Sequence, residues 1–431
     1  MREDFLHYLW KFKKFDFLHA STTDGESLLL VETGLHNQHE AGPDFFNAKL
    51  RIGDQLWAGN VEIHLKSGDW YLHNHHLDPL YDNVILHVVW EHDMEVFRKD
   101  NSKIPCLILK GLVYKDALAN YQKLLQHKKH YWINCEPDFS SFPQFMVANW
   151  LDRLYVERLE EKSEMIRALL EVTTNDWEAV LFLLLSKNFG LNVNGEAFLS
   201  MVRSFPFSVV RKLNTPFQLE ALFYGQFGML EDNLEEPYHK ELKQEYDFLV
   251  HKFRLNREAV LPVNFFRLRP NNFPTIRLSQ LANLYGLRKD LFMLLVEQND
   301  LQKIYEIFRV ETSEFWRTHY SFEKRSANRM KRITKEFVDL ILINTVVPLK
   351  FSYFTQRGDS KLDDLFQLMH QLPKENNGII QKFNKLRPGS AENALHSQAL
   401  LHLKRNYCDK NKCLQCQLGV YLLNKQPTNN A

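Results

Sequence analysis

The sequence predicts an α+β protein, with an α/β part at the N-terminus and a mostly helical part after it. Between residues 27 and 110, short β-branched or alternating runs recur between turn-like segments, the pattern of strands. From residue 144 onward the apolar residues change to helical spacing, as in NWLDRLYVERLEEKSEMIRALLE and DWEAVLFLLLSKNFG. The 431 residues also exceed what one core can use, since single cores stop growing at roughly 250–300 residues. Two domains are expected, 1–135 and 136–431, with the C-terminal cysteines assigned to the second.

Taken in order, residues 2–19 read as an amphipathic helix with Phe5, Leu9 and Phe12 on one stripe. Ser27–Glu32 is a short strand. Phe45–Ile52 and the run ending at Lys66 form a hairpin around Gly53-Asp54. A polar loop fills 67–83, strands follow at 84–90 and 104–110, and 114–127 is helical. Residues 144 to about 255 are helical, punctuated by glycines. Residues 264–286 open as an extended, proline-bounded stretch and turn helical near Thr275, and 298–425 are again mostly helical. The polar tail from Gln426 is expected to fray.

Composition narrows the function classes. Apolar residues make up 45% and charged residues 25%, which excludes bulk disorder. The net charge of +1 means that any nucleic-acid surface is a local patch. The N-terminus lacks an apolar core and does not read as a signal peptide. The apolar run Phe337–Leu349 is too short to span a bilayer, so no membrane partner is expected. Five cysteines, three of them in the last 25 residues, point to a metal site in a reducing, cytoplasmic setting.

The hairpin is the richest stretch. Asp44 stands at the mouth of one strand and Glu62-x-His64 lies on the other, where residues two apart share a face. Carboxylates so placed suit Mg²⁺ or Mn²⁺, and a nearby base or ammonium suits an attacking water. Register decides whether Asp44 joins them. A two-residue loop at Gly53-Asp54 pairs Asp44 with Ile63, on the wrong face; a three-residue loop with a bulge pairs it with His64. The loop HNHHLDPLYD (73–82) offers a different chemistry, because His73, His75, His76 and Asp78 suit zinc. His87, inside an apolar strand, reads as a core histidine.

The pattern Pro43-Asp44 followed by Glu62-x-His64 resembles the PD-(D/E)XK nuclease superfamily over about residues 1–125. That resemblance implies a restriction-endonuclease-like α/β domain in which Asp44 and Glu62 bind metal, completed by an acid such as Glu3 or Glu40. The third position of its triad is normally lysine. Here His64 occupies it, and either His64 takes the role or Lys66 is displaced into it. The whole chain also resembles a bacterial family of unknown function, through GPDF (42–45), GNVEIH (59–64), SGDW (67–70), YDNVILHVVWE (81–91), LRPNNFPTIRLSQLA (268–282) and YCDKNKCLQCQLGVYLL (407–423).

Two further groups complete the expectations. Cys408-x4-Cys413-x2-Cys416 provides three thiolates, and Cys135 is the candidate fourth, for either zinc or an iron–sulfur cluster. Cys106 reads as core. Lys324–Lys335 is a basic run without an acid, and on a helix Arg325, Arg329 and Arg332 would share a face toward phosphates. Arg267, Arg269 and Arg277 flank two prolines and suit phosphate or carboxylate recognition, or pairing with buried acids. The expected activity is Mg²⁺- or Mn²⁺-dependent hydrolysis of DNA or RNA, by Asp44 and Glu62 with His64 or Lys66. The alternatives are a non-catalytic nucleic-acid-binding scaffold and a zinc-dependent hydrolase built on the histidine loop.

Overall fold

The computed structural model describes every residue except 38–39, 126–130, 360 and 426–431. The expected fraying from Gln426 and the last two residues of the 114–127 helix lie outside the described residues. The chain divides into two compact units, one of residues 1–150 and 403–431, the other of residues 151–402. The C-terminal cysteine segment therefore folds with the α/β part, unlike a division at 135/136. The reason is packing: Leu414 and Leu423 enter the core under the sheet. Asn120 Nδ2 also donates to the carbonyls of Leu423 (3.2 Å) and Lys425 (3.0 Å).

The first unit opens with α1 (Glu3–Lys11), which buries Phe5, Leu6, Tyr8, Leu9 and Trp10 and has acids in its first turn. The helix ends well short of residue 19. Lys13 takes a left-handed conformation (φ 51°), and Phe15 leaves helical geometry to bridge with Val113. Six strands follow: β1 (Leu28–Glu32), β2 (Leu35–His36), β3 (Phe45–Ile52), β4 (Gln55–Lys66), β5 (Val84–Glu91) and β6 (Cys106–Ile108). Their order is β1-β3-β4-β5-β6, with β2 also on β3. The β1–β3 and β3–β4 pairs are antiparallel, while β4–β5 and β5–β6 are parallel. The parallel step from β4 to β5 needs a crossover. It is made by α2 (Asp69–Leu72) and two 3₁₀ turns, His75–Leu77 and Pro79–Tyr81, inside what reads from sequence as a plain loop. Then comes α3 (Lys115–Leu125).

The main core joins α1, α3 and one face of the sheet through side chains such as Phe5, Trp10, Phe45, Leu50, Val61, Ile63, Leu86 and Val88. Each large apolar side chain so buried contributes about 1.5–3 kcal/mol. Because Val61 and Ile63 point into this core, Glu62 and His64 leave β4 from the other face. There a smaller cluster of Trp70, Tyr81, Val84, Val96 and Ile104 forms the floor of the crossover.

The hairpin register differs from both expected alternatives. Ile52 pairs with Gln55, so the loop has two residues, and pairing runs regularly to Ala48 opposite Gly59. It then shifts by one, to Phe45 opposite Val61. Asn47 takes up the extra residue at φ 54°, and its N–H donates to Asn60 Oδ1 at 3.2 Å. Asparagine tolerates this left-handed conformation better than most residues. Carried one step further, the shifted register sets Asp44 opposite Glu62.

The second unit is helical. Its core includes Pro216–Gln226 and Pro274–Leu287, buried over much of their circumference. Glu220 lies wholly inside and accepts hydrogen bonds from Tyr238, Ser279 and Ser313. The helix at Lys335–Arg357 runs through a π-turn at Leu342–Val346 and extends beyond the expected apolar run. It is long and apolar enough to cross a membrane, with a mean hydropathy of 1.4, but 78% of that window is buried inside the protein.

Candidate functional site

The site is assembled on the sheet face opposite the main core. Asp44 and Glu62 lock each other through the backbone. The Asp44 N–H donates to Glu62 Oε2 at 3.1 Å, and the Ile63 N–H donates to Asp44 Oδ2 at 2.9 Å. The bulge at Asn47 makes this exchange possible. Without it, Asp44 would sit opposite Ile63, and its side chain would point into the core.

Two clusters meet at this pair. On one side, α1 presents Glu3 and His7 one turn apart, and His7 Nε2 lies 3.3 Å from Asp44 Oδ2 and 3.7 Å from Glu3 Oε1. On the other, Glu62 Oε1 lies 3.4 Å from His64 Nε2 and 3.2 Å from His75 Nε2. His73 Nδ1 approaches His64 Nε2 at 3.1 Å. Ligand atoms of Glu3, His7 and Asp44 all fall within 4.8 Å of one another, as do those of His64, His73 and His75. Glu62 stands between the two sets, one oxygen toward each.

The crossover holds the histidines in place. Asp78 accepts the Leu80 N–H at 3.0 Å and caps the second 3₁₀ turn. The His75 ring stacks on Tyr81 at 3.8 Å and meets the edge of Trp70 at 5.5 Å. Behind the site, His64 Nδ1 lies 2.8 Å from His87 Nε2, a contact that orients the His64 ring as an outer-shell partner does. His87 is fully buried, as expected of a core histidine, and it also serves the site.

The electrostatics fit a place made for a cation. Burial and then the neighbouring Asp44 push the Glu62 carboxyl up to about 9. Burial and Asp44 likewise bring Glu3 to about 7. Desolvation, together with the neighbouring imidazoles, depresses His64 to about 2 and His75 to about 4. Burial alone would lower His7, but Asp44 and Glu3 hold it above its ordinary value. The buried Glu62 carboxyl and the half-buried Glu3 carboxyl both lie beside imidazoles, an arrangement that a divalent ion would relieve by letting these two groups ionise.

The structure therefore brings together Asp44, Glu62 and His64, and adds His73 and His75 to them. It does not gather the expected zinc set as a unit, because Asp78 is a cap and His76 packs against Tyr71 at 5.1 Å. Of the two acids considered as completing ligands, Glu3 reaches the site, while Glu40 is exposed and uses its backbone to hold Asn37. Lys66 is exposed at the end of β4, where its backbone N–H donates to Asp69. His7 was missed from sequence. Its signal is the Glu3-x3-His7 spacing, which puts both on one face of α1.

The four cysteines Cys135, Cys408, Cys413 and Cys416 line one apolar pocket together with Leu124, Leu403 and Leu418. All five cysteines are free thiols, and Cys106 is a core residue of β6, as expected.

The basic run is not a helix. Residues 324–334 form an irregular segment held by bridges between His319 and Arg325 and between Glu311 and Arg332, and helix begins only at Lys335. The segment folds around Lys331, whose buried ammonium donates to the carbonyls of Trp316, Arg317 and His319. Arg325 and Arg329 are exposed, whereas Arg332 approaches Glu311 at 4.0 Å. Arg277 is buried, stacks on Phe337 at 3.7 Å and donates to Gln280 and Asn272, so its partners are amides, not acids. Arg267 lies over the Phe266 ring at 5.0 Å, and Arg269 is exposed beside it.

These residues predict separable effects. Lys331→Met leaves carbonyls without their donor and is expected to cost about 2–4 kcal/mol in thermal unfolding. Replacing both Arg325 and Arg329 with alanine leaves stability unchanged. If these two contact phosphates, that double substitution flattens the slope of log K against log salt by about 2.

Fold and site together define an α+β protein with a six-stranded mixed sheet, carrying a carboxylate–histidine cluster able to hold a divalent cation. The chain belongs to the family described as Protein of unknown function (DUF2851), which matches residues 3–378. No curated protein and no solved structure matches it.

Proposed function

We propose that the protein is a metal-dependent hydrolase of nucleic-acid phosphodiester bonds, with its active centre at Asp44 and Glu62. One observation carries the reading: the Asn47 bulge sets two partly or fully buried carboxylates opposite each other, and Glu62 cannot ionise cheaply without a cation. Asp44 and Glu62 would hold Mg²⁺ or Mn²⁺ through oxygen, with Glu3 completing the shell from α1. A bound ion would polarise the phosphoryl oxygen and lower the pKa of a coordinated water. His64 is neutral, so it replaces the missing lysine as a ligand or water-orienting group, not as a positive charge. The helix-led mixed sheet, antiparallel then parallel, supports a PD-(D/E)XK-like descent. A nucleic-acid partner and a cytoplasmic setting belong to the same proposal.

The test incubates purified protein with labelled DNA and RNA in Mg²⁺, Mn²⁺ or EDTA. Cleavage is expected with metal and is lost in EDTA and in Asp44→Asn. Intact substrates under every condition, with binding retained, would favour the non-catalytic scaffold. A second reading has its own support, because three imidazole nitrogens crowd together beside Glu62. Imidazoles suit zinc, and small-molecule hydrolysis restored by Zn²⁺ but not Mg²⁺ would favour that alternative.

A further inference from the structure

We propose that Cys135, Cys408, Cys413 and Cys416 hold an iron–sulfur cluster that fastens the C-terminal segment to the α/β unit. Sequence spacing alone leaves zinc and iron–sulfur equally open, and the geometry separates them.

The four cysteines reach one pocket from three places. Cys135 follows α3 in sequence, Cys408 ends the π-helical turn Leu403–Cys408, and Cys413 and Cys416 lie just before the helix Gln417–Asn424. Leu124, Leu403, Tyr407 and Leu418 line the rest, so water is largely excluded. The backbone is drawn tightly around the sulfurs. A Cβ on Gly419 would meet the Cys413 carbonyl oxygen at 2.0 Å, so only glycine fits there. Donors are aimed at sulfur as well: Asn134 Nδ2 donates to Cys413 Sγ at 3.3 Å, and the Leu418 and Gly419 N–H groups reach Cys416. Donors of this kind around thiolates tune iron–sulfur centres.

Spacing then decides between the metals. A single zinc bound at about 2.3 Å in a tetrahedron holds its sulfurs about 3.8 Å apart. Among the described residues, which include all four cysteines, no three of these sulfurs lie within 4.8 Å of one another. A ring that shares one pocket yet stays wider than a zinc tetrahedron suits a polynuclear core of iron and sulfide. The proposal is independent of the hydrolytic reading.

The experiment purifies the full-length chain under anaerobic conditions and measures iron, acid-labile sulfide, zinc and the visible spectrum. Iron and sulfide in equal amounts with a broad visible band are expected, absent in Cys413→Ser and retained in Cys106→Ser. Stoichiometric zinc without iron would overturn the proposal, as would a chain free of both metals. Wild-type stoichiometry decides the matter even if Cys413→Ser fails to fold. As a second check, oxidative bleaching of the wild-type band should release the C-terminal segment to limited proteolysis while far-ultraviolet circular dichroism persists. A bleached chain whose C-terminus stays equally protected would remove the fastening role.

Discussion

Glu62→Gln is expected to lower divalent-cation affinity at the site by at least about 100-fold, a larger loss than outer-shell changes cause, while leaving the fold intact. Glutamine copies the shape of a neutral carboxylic acid but supplies no anionic oxygen. The pH dependence has a definite sign. The folded-state pKa of Glu62 is raised, so its contribution to stability is complete below about 4.5 and is lost as pH rises toward about 9. Metal-free wild type should therefore lose ground to Glu62→Gln on that alkaline climb, with the gap in melting temperature widening from pH 5 to pH 9. Cation affinity in wild type should rise over the same interval, because the ion displaces one proton from Glu62. His64 and His75 add little to that slope, being neutral already. Calorimetric titration with Mn²⁺ at several pH values, alongside scanning calorimetry of both proteins, measures each part. A slope of equal size in the variant would assign the proton to another group.

Asn47→Pro should have the second large effect. Proline cannot take the positive φ and has no N–H for Asn60, so β3 loses the bulge that absorbs its extra residue; the turn at Gly53-Asp54 pins the lower half of the hairpin, and the upper half slips into the regular register. Phe45, fully buried now, would leave the core at a cost of about 3–5 kcal/mol, similar to deleting a large core side chain. Asp44 would come to face Ile63 and lose its partnership with Glu62. The substitution is thus expected to abolish cation binding and lower the melting temperature together. Asn47→Gly separates the causes. Glycine accepts the positive φ freely, and the hydrogen bond to Asn60 uses the backbone N–H, so binding should persist. Binding lost equally in both variants would show that the bulge does not position Asp44.

Much of this architecture is legible in the residues. The β-branched run at 84–91, the glycine turn at 53 and the helical period after 144 each satisfy a local rule that packing then confirms. The acids of the hairpin are legible too, since alternation places Glu62 and His64 together on either register. Their alignment with Asp44 is not. It depends on one asparagine in a left-handed conformation, which its side chain permits but does not demand. The basic run misled for a different reason. A string of cations reads as a solvated helix, whereas Lys331 is buried among three carbonyls that organise a loop around it. His7 escaped notice because Glu3-x3-His7 is common on helix surfaces and means something only once α1 faces Asp44. The cysteines declare a shared site by number, but their separation is a property of the folded chain.

Crystals soaked in Mn²⁺ and measured for anomalous scattering test the central claim most directly. A peak bonded to the Asp44 and Glu62 carboxylates, at about the 2.0–2.4 Å typical of such oxygen ligands, is the expected result. A fully soaked crystal with no density between those two side chains, or with manganese bound elsewhere on the chain, would contradict it.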